Sequence, residues 1–375
     1  MEAGYFLIDS GNIATLKALI AQRLKPGDVP FASDIRQNVP FYDVPALDLD
    51  DPALLAEWAR VLRHGAGVIC LGRAFPDTSP VDRATDVFRQ IIAEERAAGA
   101  GKGDHFAAAG ANDRIWNALQ KHCLRDPEGF AAYYANPAIA AASRAWLGPH
   151  YQMTAQVNQV RPGGKAQRAH RDYHLGFQTA EVAASYPVHV HDLTAALTLQ
   201  GAVAHCDMPI ESGPTKLLPF SQRYAPGYIA FHQTGHGAFF EAHYIQLPLR
   251  KGDAIFFNPA LFHAAGENRS DDIDRMANLL QVSSPFGRAM EAIDRDAMCR
   301  AVYPALRALP RDAAQAAIAA TAEGYAFPTN LDTDPPLDGN APETQADILR
   351  RAHAGGWPAQ DLYTALDALA GRRTA

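Results

Sequence analysis

A series of short strand-like segments in the middle of the chain constrains the fold most. Over residues 152–158, polar and apolar side chains alternate with the period of two that is typical of a strand. Turn signals such as E-S-G-P at 211–214 and K-G-D at 251–253 separate the segments that follow. Further strands are predicted over residues 193–204, 216–219, 244–249, 254–257 and 275–283. Several short strands with turns between them predict a β-sandwich or a jelly roll.

Helical patterns flank this series on both sides. Before it, apolar residues recur at helical spacing over about 52–64 and 81–98, and an alanine-rich helix is predicted over 137–147. After it, helices are predicted over 288–304, 309–323 and 343–370. We therefore expect an α+β protein that forms one compact domain. Its predicted parts are a helical N-terminal region (1–150), a β core (151–288) and a helical C-terminal extension (289–375).

Composition and charge restrict the class of protein. The chain has 375 residues, of which 48% are hydrophobic and 20% charged, so it can bury a large core. A net charge of −7 and a pI near 6.0 argue against general binding to nucleic acid or to a membrane surface. No signal-peptide pattern, long apolar run or C-x-x-C motif is present. We expect a cytoplasmic protein without a nucleic-acid or membrane partner, and the sequence leaves its oligomeric state open.

A candidate metal site follows the first predicted strand of the core. In R-P-G-G-K-A-Q-R-A-H-R-D, at 161–172, a turn leads to His170 and Asp172. Residues two apart on an extended strand project to the same face, so this imidazole and this carboxylate can bind one metal ion. His263 is the candidate third ligand. Two histidines and one carboxylate on one face of an octahedral ion form the facial triad of non-haem Fe(II) oxygenases, which leaves three positions open.

A second H-x-D pair, His205 and Asp207, competes with the first. With 14 histidines in the chain, a pair of this kind is expected to arise by chance. This second pair falls at the end of a strand, just before the turn at 211–214. Its structural interpretation is a hydrogen-bonded histidine and aspartate in a loop.

Arg275 is a candidate anchor for an anionic ligand. It lies twelve residues after His263, at the start of the next predicted strand, and an antiparallel arrangement would point its guanidinium into the same barrel. A buried arginine needs an anionic partner, and its planar fork suits a carboxylate. A 2-oxoglutarate site requires such a cation for the carboxylate that lies far from the metal. The alternative is a salt bridge to a neighbouring aspartate: Asp271, Asp272 or Asp274.

Five other residues are candidates for contacts with a substrate or a cosubstrate. His105, Asn112 and Arg114 belong to a loop region that precedes the β core, and His174 lies just beyond the ligand pair. Gln156 lies on the polar face of its strand and is a candidate contact of the cosubstrate. The alternative for Gln156 is a solvent-facing sheet residue, and the alternative for His105 is a solvated surface histidine.

The run from about 150 to 284 resembles the phytanoyl-CoA dioxygenase family of Fe(II)/2-oxoglutarate oxygenases. Five ordered features carry this resemblance, and together they are far more specific than any one motif. They are R-P-G-G-K-A-Q-R-A-H-R-D at 161–172, D-L-T-A-A-L-T-L at 192–199, E-S-G-P-T-K-L-L-P-F-S at 211–221, G-D-A-I-F-F-N-P-A-L-F-H-A-A-G-E-N-R-S at 252–270, and Arg275.

The resemblance implies a fold, a ligand set and a reaction. The implied core is a double-stranded β-helix, a jelly-roll or cupin-like barrel. The family's triad maps onto His170, Asp172 and His263, and Arg275 matches the arginine that anchors 2-oxoglutarate. Fe(II), 2-oxoglutarate and O2 are then the cofactor and cosubstrates. The implied reaction is hydroxylation of a small organic substrate with release of succinate and CO2.

Two departures and two other functions bear on this interpretation. The usual Asn-Gly is Ser212-Gly213 here, and the usual P-G-S-H is P-F-S-Q at 219–222, but neither segment carries a ligand. Halogenases of the family replace the ligating carboxylate by Ala or Gly, so the presence of Asp172 favours hydroxylation. A non-oxygenase cupin-like isomerase or sugar-binding module is the alternative of a different class, because fold does not determine function. Such a protein needs neither Arg275 nor an open iron position.

Overall fold

The computed structural model describes residues 4–99 and 112–374. The strands in this part of the chain are β1 (Asp34–Arg36), β2 (Val39–Asp43), β3 (Val68–Gly72), β4 (Asn112–Ile115), β5 (Gln152–Val160), β6 (Thr198–Ala204), β7 (Lys216–Leu217), β8 (Ala254–Phe257), β9 (His263–Ala264) and β10 (Arg275–Ser283). The helices are α1 (Ile13–Ile20), α2 (Pro52–His64), α3 (Ser79–Ala97), α4 (Ala118–Arg125), α5 (Pro127–Tyr134), α6 (Pro137–Leu147), α7 (Ala180–Ala184), α8 (Val188–Ala196), α9 (Gly227–Ala230), α10 (Thr234–His243), α11 (Arg295–Leu306), α12 (Arg311–Thr321), α13 (Gln345–Gly355) and α14 (Ala359–Arg373).

Two sheets form the centre of the molecule. The large sheet has the strand order β1-β2-β3-β8-β6-β10-β5-β4, and β7 pairs with β9 in the small sheet. All pairs are antiparallel except β2 with β3. A cavity lies between the two sheets and is lined by residues of both. The chain is thus a mixed α+β protein with a double-stranded β-helix core, which confirms the predicted fold class.

Strand β10 separates the cavity from the helical layer. Its odd-numbered residues from Arg275 to Gln281 line the cavity, while the residues between them point to the other face of the sheet. There Asn278 donates hydrogen bonds to the hydroxyls of Tyr133 and Tyr134 on α5, at 3.2 and 3.1 Å. The main hydrophobic core lies on this outer face, between the sheet and the helices.

The segment before residue 150 contributes strands as well as helices. The apolar run V-I-C-L forms β3, which lies between β2 and β8 and pairs with β8 from Val68 opposite Phe257 onward. Four strands of the large sheet therefore precede the boundary predicted at residue 150. A sequence pattern identifies a buried strand but not its partner, which is why β3 was assigned to the flanking region.

Two predicted strands are wrong in part. The apolar segment 193–204 begins as the end of α8 and becomes strand only at Thr198. The segment 244–249 forms isolated bridges, at Ile245 with Leu217 and at Leu249 with Met208, instead of a strand. Short apolar runs do not distinguish helix from strand by periodicity, because either element buries them.

The C-terminal extension is helical, as predicted. The helix predicted over 343–370 is two helices, because Gly356 ends α13 in the left-handed conformation, with φ of 59°, and Pro358 precedes α14. In the described residues, no helix has both the length and the apolar character needed to cross a membrane.

Candidate metal centre

Backbone pairing brings the predicted ligands together from distant parts of the chain. The amide of His170 donates to the carbonyl of His263 at 3.0 Å, and the amide of His263 donates back at 3.1 Å. Two residues further on, the amide of Asp172 donates to the carbonyl of Pro259 at 3.0 Å. The H-x-D segment is therefore held antiparallel to the segment that carries β9, and its two ligand side chains lie on the face next to His263.

Arg171, between the two ligands, fixes which face they occupy. Its guanidinium is buried on the opposite side, where it donates to the carbonyls of Ser221 and Tyr224 at 2.5 and 2.8 Å. It also lies 4.9 Å from the ring centre of Phe262. Because neighbouring residues on an extended segment point to opposite faces, burial of this side chain turns His170 and Asp172 toward the cavity.

The ligand atoms of His170, Asp172 and His263 converge on one point. All of them lie within 4.8 Å of one another. Nε2 of His170 lies 3.6 Å from Oδ1 of Asp172, and Nε2 of His263 lies 3.4 Å from Oδ2. One metal ion can contact all three side chains from a single side, as the facial triad requires.

Carbonyl groups set the orientation of both imidazoles. Nδ1 of His170 lies 2.8 Å from the carbonyl oxygen of Arg168, and Nδ1 of His263 lies 2.8 Å from that of Leu261. A carbonyl oxygen can only accept, so Nδ1 carries a hydrogen in each ring and Nε2 is the nitrogen that faces the centre. A set of two imidazole Nε2 atoms and one carboxylate fits Fe(II).

The carboxylate of Asp172 is held in its charged form. Burial acts to raise its pKa, but the imidazoles of His170 and His263 and the amide of Gln200 outweigh burial, so the pKa lies well below the ordinary value. Gln200, on β6, donates to Oδ2 of Asp172. The sequence analysis did not identify Gln200. The available signal was a long polar side chain near the start of a strand that is largely apolar.

Arg275 is a buried cation in the wall of the cavity. Its side chain is 7% exposed, and Nη1 donates to the carbonyls of Ser212 and Gly266 at 2.9 and 3.2 Å. Burial lowers its pKa to about 10, which leaves it protonated at neutral pH. Gly266 follows His263 by three residues, a span of roughly 10 Å in an extended chain. The guanidinium therefore lies within reach of a small diacid bound at the triad.

The alternative role of Arg275 in a local salt bridge is not observed. Within residues 4–99 and 112–374, no carboxylate pairs with this guanidinium. Asp274 instead accepts a hydrogen bond from the amide of Gln159 at 3.0 Å. A buried guanidinium whose partners are carbonyl oxygens retains its full charge for an incoming anion.

The cavity between the sheets has a volume of about 170 Å³ and contains both the triad and Arg275. Its walls are mainly apolar, with several amides between them. The amide side chains that line it are Gln156, Asn158, Gln167, Gln200 and Gln281, and the larger apolar ones are Trp116, Phe177, Met208, Leu249, Ile255, Phe257, Leu279 and Met290. Few polar groups within apolar walls are typical of a small-molecule site.

Gln156 and Arg114 both line this cavity. Gln156 is 3% exposed, so it is not the solvent-facing sheet residue of the alternative interpretation. Nη1 of Arg114 donates to Oε1 of Gln156 at 2.9 Å, and the guanidinium also lies 5.2 Å from the ring centre of Trp116. These contacts place a cation beside an aromatic ring within the cavity wall.

Two other predicted pocket residues, Asn112 and His174, do not line the cavity. Asn112 is buried on β4, where it packs against the turn that contains Gly164. His174 is exposed and lies on a separate depression with Tyr186 and Leu193. His105 lies outside the described residues. Position in the sequence indicated both residues, Asn112 because its loop region precedes the β core and His174 because it follows the ligand pair, and such a position does not determine which way a side chain points.

The second H-x-D pair does not form a metal site. Nδ1 of His205 lies 2.8 Å from the hydroxyl of Thr85, and Nε2 lies 3.0 Å from the hydroxyl of Tyr133. Asp207 accepts a hydrogen bond from the backbone amide of Lys251 at 2.9 Å. With both ring nitrogens occupied, His205 has the structural role that the sequence analysis gave as its alternative.

Comparison with known proteins identifies similar sequences and folds. The model of the family "Phytanoyl-CoA dioxygenase (PhyH)" matches residues 58–277, more than half of the chain. Dioxygenase trt7 of Aspergillus terreus (strain NIH 2624 / FGSC A1156) is 29% identical over 143 residues, which are 38% of this chain and 44% of that protein. The match thus spans less than half the length of this relative.

Two solved structures are also similar in fold. The non-haem alpha-ketoglutarate-dependent carbocyclase SnoK, from nogalamycin biosynthesis, has 20% identity and a TM-score of 0.45, with 61% of this chain and 83% of that chain covered. The epimerase SnoN, in complex with Fe3+, alpha-ketoglutarate and nogalamycin RO, has 20% identity and a TM-score of 0.42, with 62% and 85% covered.

Proposed function

Since the chain belongs to the phytanoyl-CoA dioxygenase family, we propose that it is a non-haem Fe(II)/2-oxoglutarate-dependent dioxygenase that hydroxylates a small organic substrate. Enzymes of this family use Fe(II), 2-oxoglutarate and O2. The observation that carries the proposal is the convergence of His170, Asp172 and His263 in the same cavity as the buried cation Arg275.

Each of these four side chains has a defined role in binding. Nε2 of His170, Nε2 of His263 and one oxygen of Asp172 would hold the metal, and its remaining positions would be open to the cosubstrates. The fork of Arg275 holds the far carboxylate of 2-oxoglutarate. Gln156, which accepts a hydrogen bond from Arg114, is proposed to contact the cosubstrate from β5, the strand next to that of Arg275.

The bound metal, 2-oxoglutarate and O2 together supply oxidising chemistry, in which one oxygen atom becomes a substrate hydroxyl, the other enters succinate, and CO2 is released. The protein contributes binding, orientation and exclusion of water. Apolar side chains such as Ile255, Phe257 and Leu279 line the space beside the triad. Arg114 and Trp116 are proposed to contact the substrate.

Two observations favour hydroxylation over the other functions. The carboxylate of Asp172 occupies the ligand position that a halogenase leaves to a halide. A non-oxygenase binding protein of the same fold has no need of Arg275, whose charge is desolvated without a carboxylate partner in the described residues.

Anaerobic titration with Fe(II) and then 2-oxoglutarate tests this proposal. An oxygenase gives a metal-to-ligand charge-transfer absorption when 2-oxoglutarate chelates the iron, and a non-oxygenase binding protein does not. Absence of this absorption from protein that has bound iron would overturn the proposal.

A succinate-release screen over small metabolites, amino acids and acyl thioesters then identifies the substrate. A product heavier by one oxygen atom supports hydroxylation. A product lighter by two hydrogen atoms, formed together with succinate, would replace hydroxylation by desaturation or ring closure.

A further inference from the structure

We propose that Gln200 is a positioning residue that reserves one oxygen of Asp172, so that the carboxylate presents its other oxygen alone to the metal. The inference rests on the proposed function only in that the triad binds a metal ion. It concerns a side chain of β6 that is outside the triad and was not identified from the sequence.

The donor capacity of Gln200 is fully used at this point. Its Nε2 donates to Oδ2 of Asp172 and lies 3.3 Å from Oε1 of Gln281. Gln200 and Gln281 are directly opposite each other in the register of β6 and β10. An amide nitrogen has two hydrogens, and these two acceptors account for both.

The orientation of this amide is fixed by its neighbours. Reversal would place Oε1 against the carboxylate of Asp172 and against Oε1 of Gln281, which would bring three acceptors together without a hydrogen. In the observed orientation, Oε1 of Gln200 is buried without a hydrogen-bond partner among the described residues. A buried unpaired oxygen is unfavourable, so contact with Asp172 outweighs that cost in this fold.

The hydrogen bond from Gln200 distinguishes the two carboxylate oxygens of Asp172, which lie at similar distances from the two histidines. Oδ1 lies 3.6 Å from Nε2 of His170, and Oδ2 lies 3.4 Å from Nε2 of His263. The triad alone therefore does not determine which oxygen binds the metal. Because Gln200 engages Oδ2, Oδ1 is left as the ligand, and a carboxylate that binds through one oxygen leaves a position open for a cosubstrate.

The control for this inference is a second buried glutamine in the same sheet. Gln159 on β5 is 7% exposed, and its Nε2 donates to Oδ2 of Asp274 at 3.0 Å. This is the same kind of bond to an aspartate that is not a ligand. Gln159→Met and Gln200→Met thus each remove a hydrogen bond from a glutamine amide to an aspartate, but only the one in Gln200→Met involves the triad.

The experiment measures Co(II) binding to the full-length protein without 2-oxoglutarate or substrate, by visible absorption. We expect Gln200→Met to weaken Co(II) binding by about 10- to 100-fold and to change the absorption spectrum, because loss of a residue that orients a metal ligand typically has this effect. Gln200→Asn, whose shorter amide does not reach Asp172, should have the same effect. Gln159→Met should keep the affinity and spectrum of the unmodified protein.

Circular dichroism of each variant without metal establishes that it is folded. Folded Gln200→Met or Gln200→Asn protein with unchanged Co(II) affinity and spectrum would overturn the inference. An equal loss of affinity in Gln159→Met would also overturn it, since the effect would then be general to the sheet. If iron-bound protein gives no charge-transfer absorption with 2-oxoglutarate, the proposed function fails while the Co(II) result still stands.

Discussion

At the scale of single residues, His170 gives the most direct test of the triad. The substitution His170→Ala removes one of the three proposed metal ligands. It also removes the hydrogen bond to the carbonyl of Arg168, and alanine cannot bind a metal ion in place of histidine. We expect this variant to lose 2-oxoglutarate turnover. Succinate release and the metal content of the purified protein measure the effect.

His174→Ala is the matched control for that substitution. This histidine is four residues along the chain from His170, is exposed and lies on a separate depression. The control should retain its metal. Full turnover by His170→Ala would contradict the ligand assignment, because a triad without one histidine does not support the reaction.

Arg275 is expected to affect the cosubstrate more than the metal. A charge-assisted hydrogen bond to a carboxylate is worth about 1.5–3 kcal/mol, so the loss of at least one such bond in Arg275→Ala should weaken apparent 2-oxoglutarate affinity by about 10-fold or more. Arg275→Lys keeps the charge but lacks the planar fork, so its affinity for 2-oxoglutarate should lie between those of the unmodified protein and Arg275→Ala. The KM for 2-oxoglutarate measures this effect, and Co(II) affinity should stay unchanged. An unchanged KM in Arg275→Ala would give this arginine a purely structural role at Ser212 and Gly266.

At the scale of elements, the turn at Gly213 precedes β7 of the small sheet and lies against the guanidinium of Arg275. Gly213 has a φ of +74°, and a side-chain Cβ there would lie 2.2 Å from the carbonyl oxygen of Glu267 and 2.8 Å from Nη1 of Arg275. Gly213→Ala should therefore destabilise the fold by more than the roughly 1–2 kcal/mol of a left-handed alanine. It should also raise the KM for 2-oxoglutarate, because the guanidinium has to move.

Gly163→Ala separates these two effects. Gly163 also has a positive φ, +82°, but a Cβ there meets no atom within 4 Å. This variant should show only the conformational cost in urea unfolding and should keep the KM. Equal effects of the two substitutions on stability and KM would contradict this prediction. They would show that the Cβ added by Gly213→Ala is accommodated without displacement of Arg275.

Local patterns in the sequence predicted the individual elements of the site. The relative positions of these elements depend on backbone pairing between distant segments, which local patterns do not show. The i, i+2 spacing of His170 and Asp172 predicted a shared face, and the strand-like run over residues 275–283 predicted the strand that lines the cavity. The position of His263 beside His170 depends on hydrogen bonds between segments far apart in the chain. No local pattern records such a pairing, so His263 could be proposed but not placed.

Gln200 and the start of β6 show where local patterns fail. Residues 193–196 read as part of a strand but end α8, because an apolar face serves a buried helix as well as a buried strand. The role of Gln200 arises from its position opposite Gln281 and next to Asp172. These three residues belong to three separate segments of the chain. Sequence spacing within β6 contains no information on either neighbour.

At the scale of the whole molecule, the large sheet joins the segment before residue 150 to the segment that contains the ligands. Strand β3 pairs with β8, whose Phe257 lines the cavity beside His263. The helices α3, α4 and α5 pack on the outer face, in the same core as α11 and α12. The cavity and the helical layer thus share one sheet, so disruption of the outer core should also disturb the residues that line the cavity.

That outer core contains a buried histidine that should make the fold sensitive to acid. His122 is fully buried among the rings of Phe88, Phe130 and Tyr133, and neither of its ring nitrogens has a hydrogen-bond partner among the described residues. Burial lowers its pKa from 6.5 to about 4. In the unfolded chain His122 binds a proton as the pH falls below 6.5, whereas in the folded chain it does so only near pH 4. Because the unfolded state binds more protons between these values, the free energy of unfolding decreases as the pH is lowered from 6.5 to 4.

Urea unfolding at several pH values measures this loss. The contribution of His122 is nearly zero above pH 7 and approaches a loss on the order of 3 kcal/mol near pH 4, at 1.36 kcal/mol per unit of pKa. His205, whose pKa burial lowers to about 3, acts in the same direction. His122→Leu removes one titrating group without leaving a partner unpaired, so the variant should lose less stability than the unmodified protein between pH 6.5 and 4. Parallel pH profiles for the two proteins would show that His122 is reached by solvent in the folded state, because only a hydrated imidazole keeps its ordinary pKa.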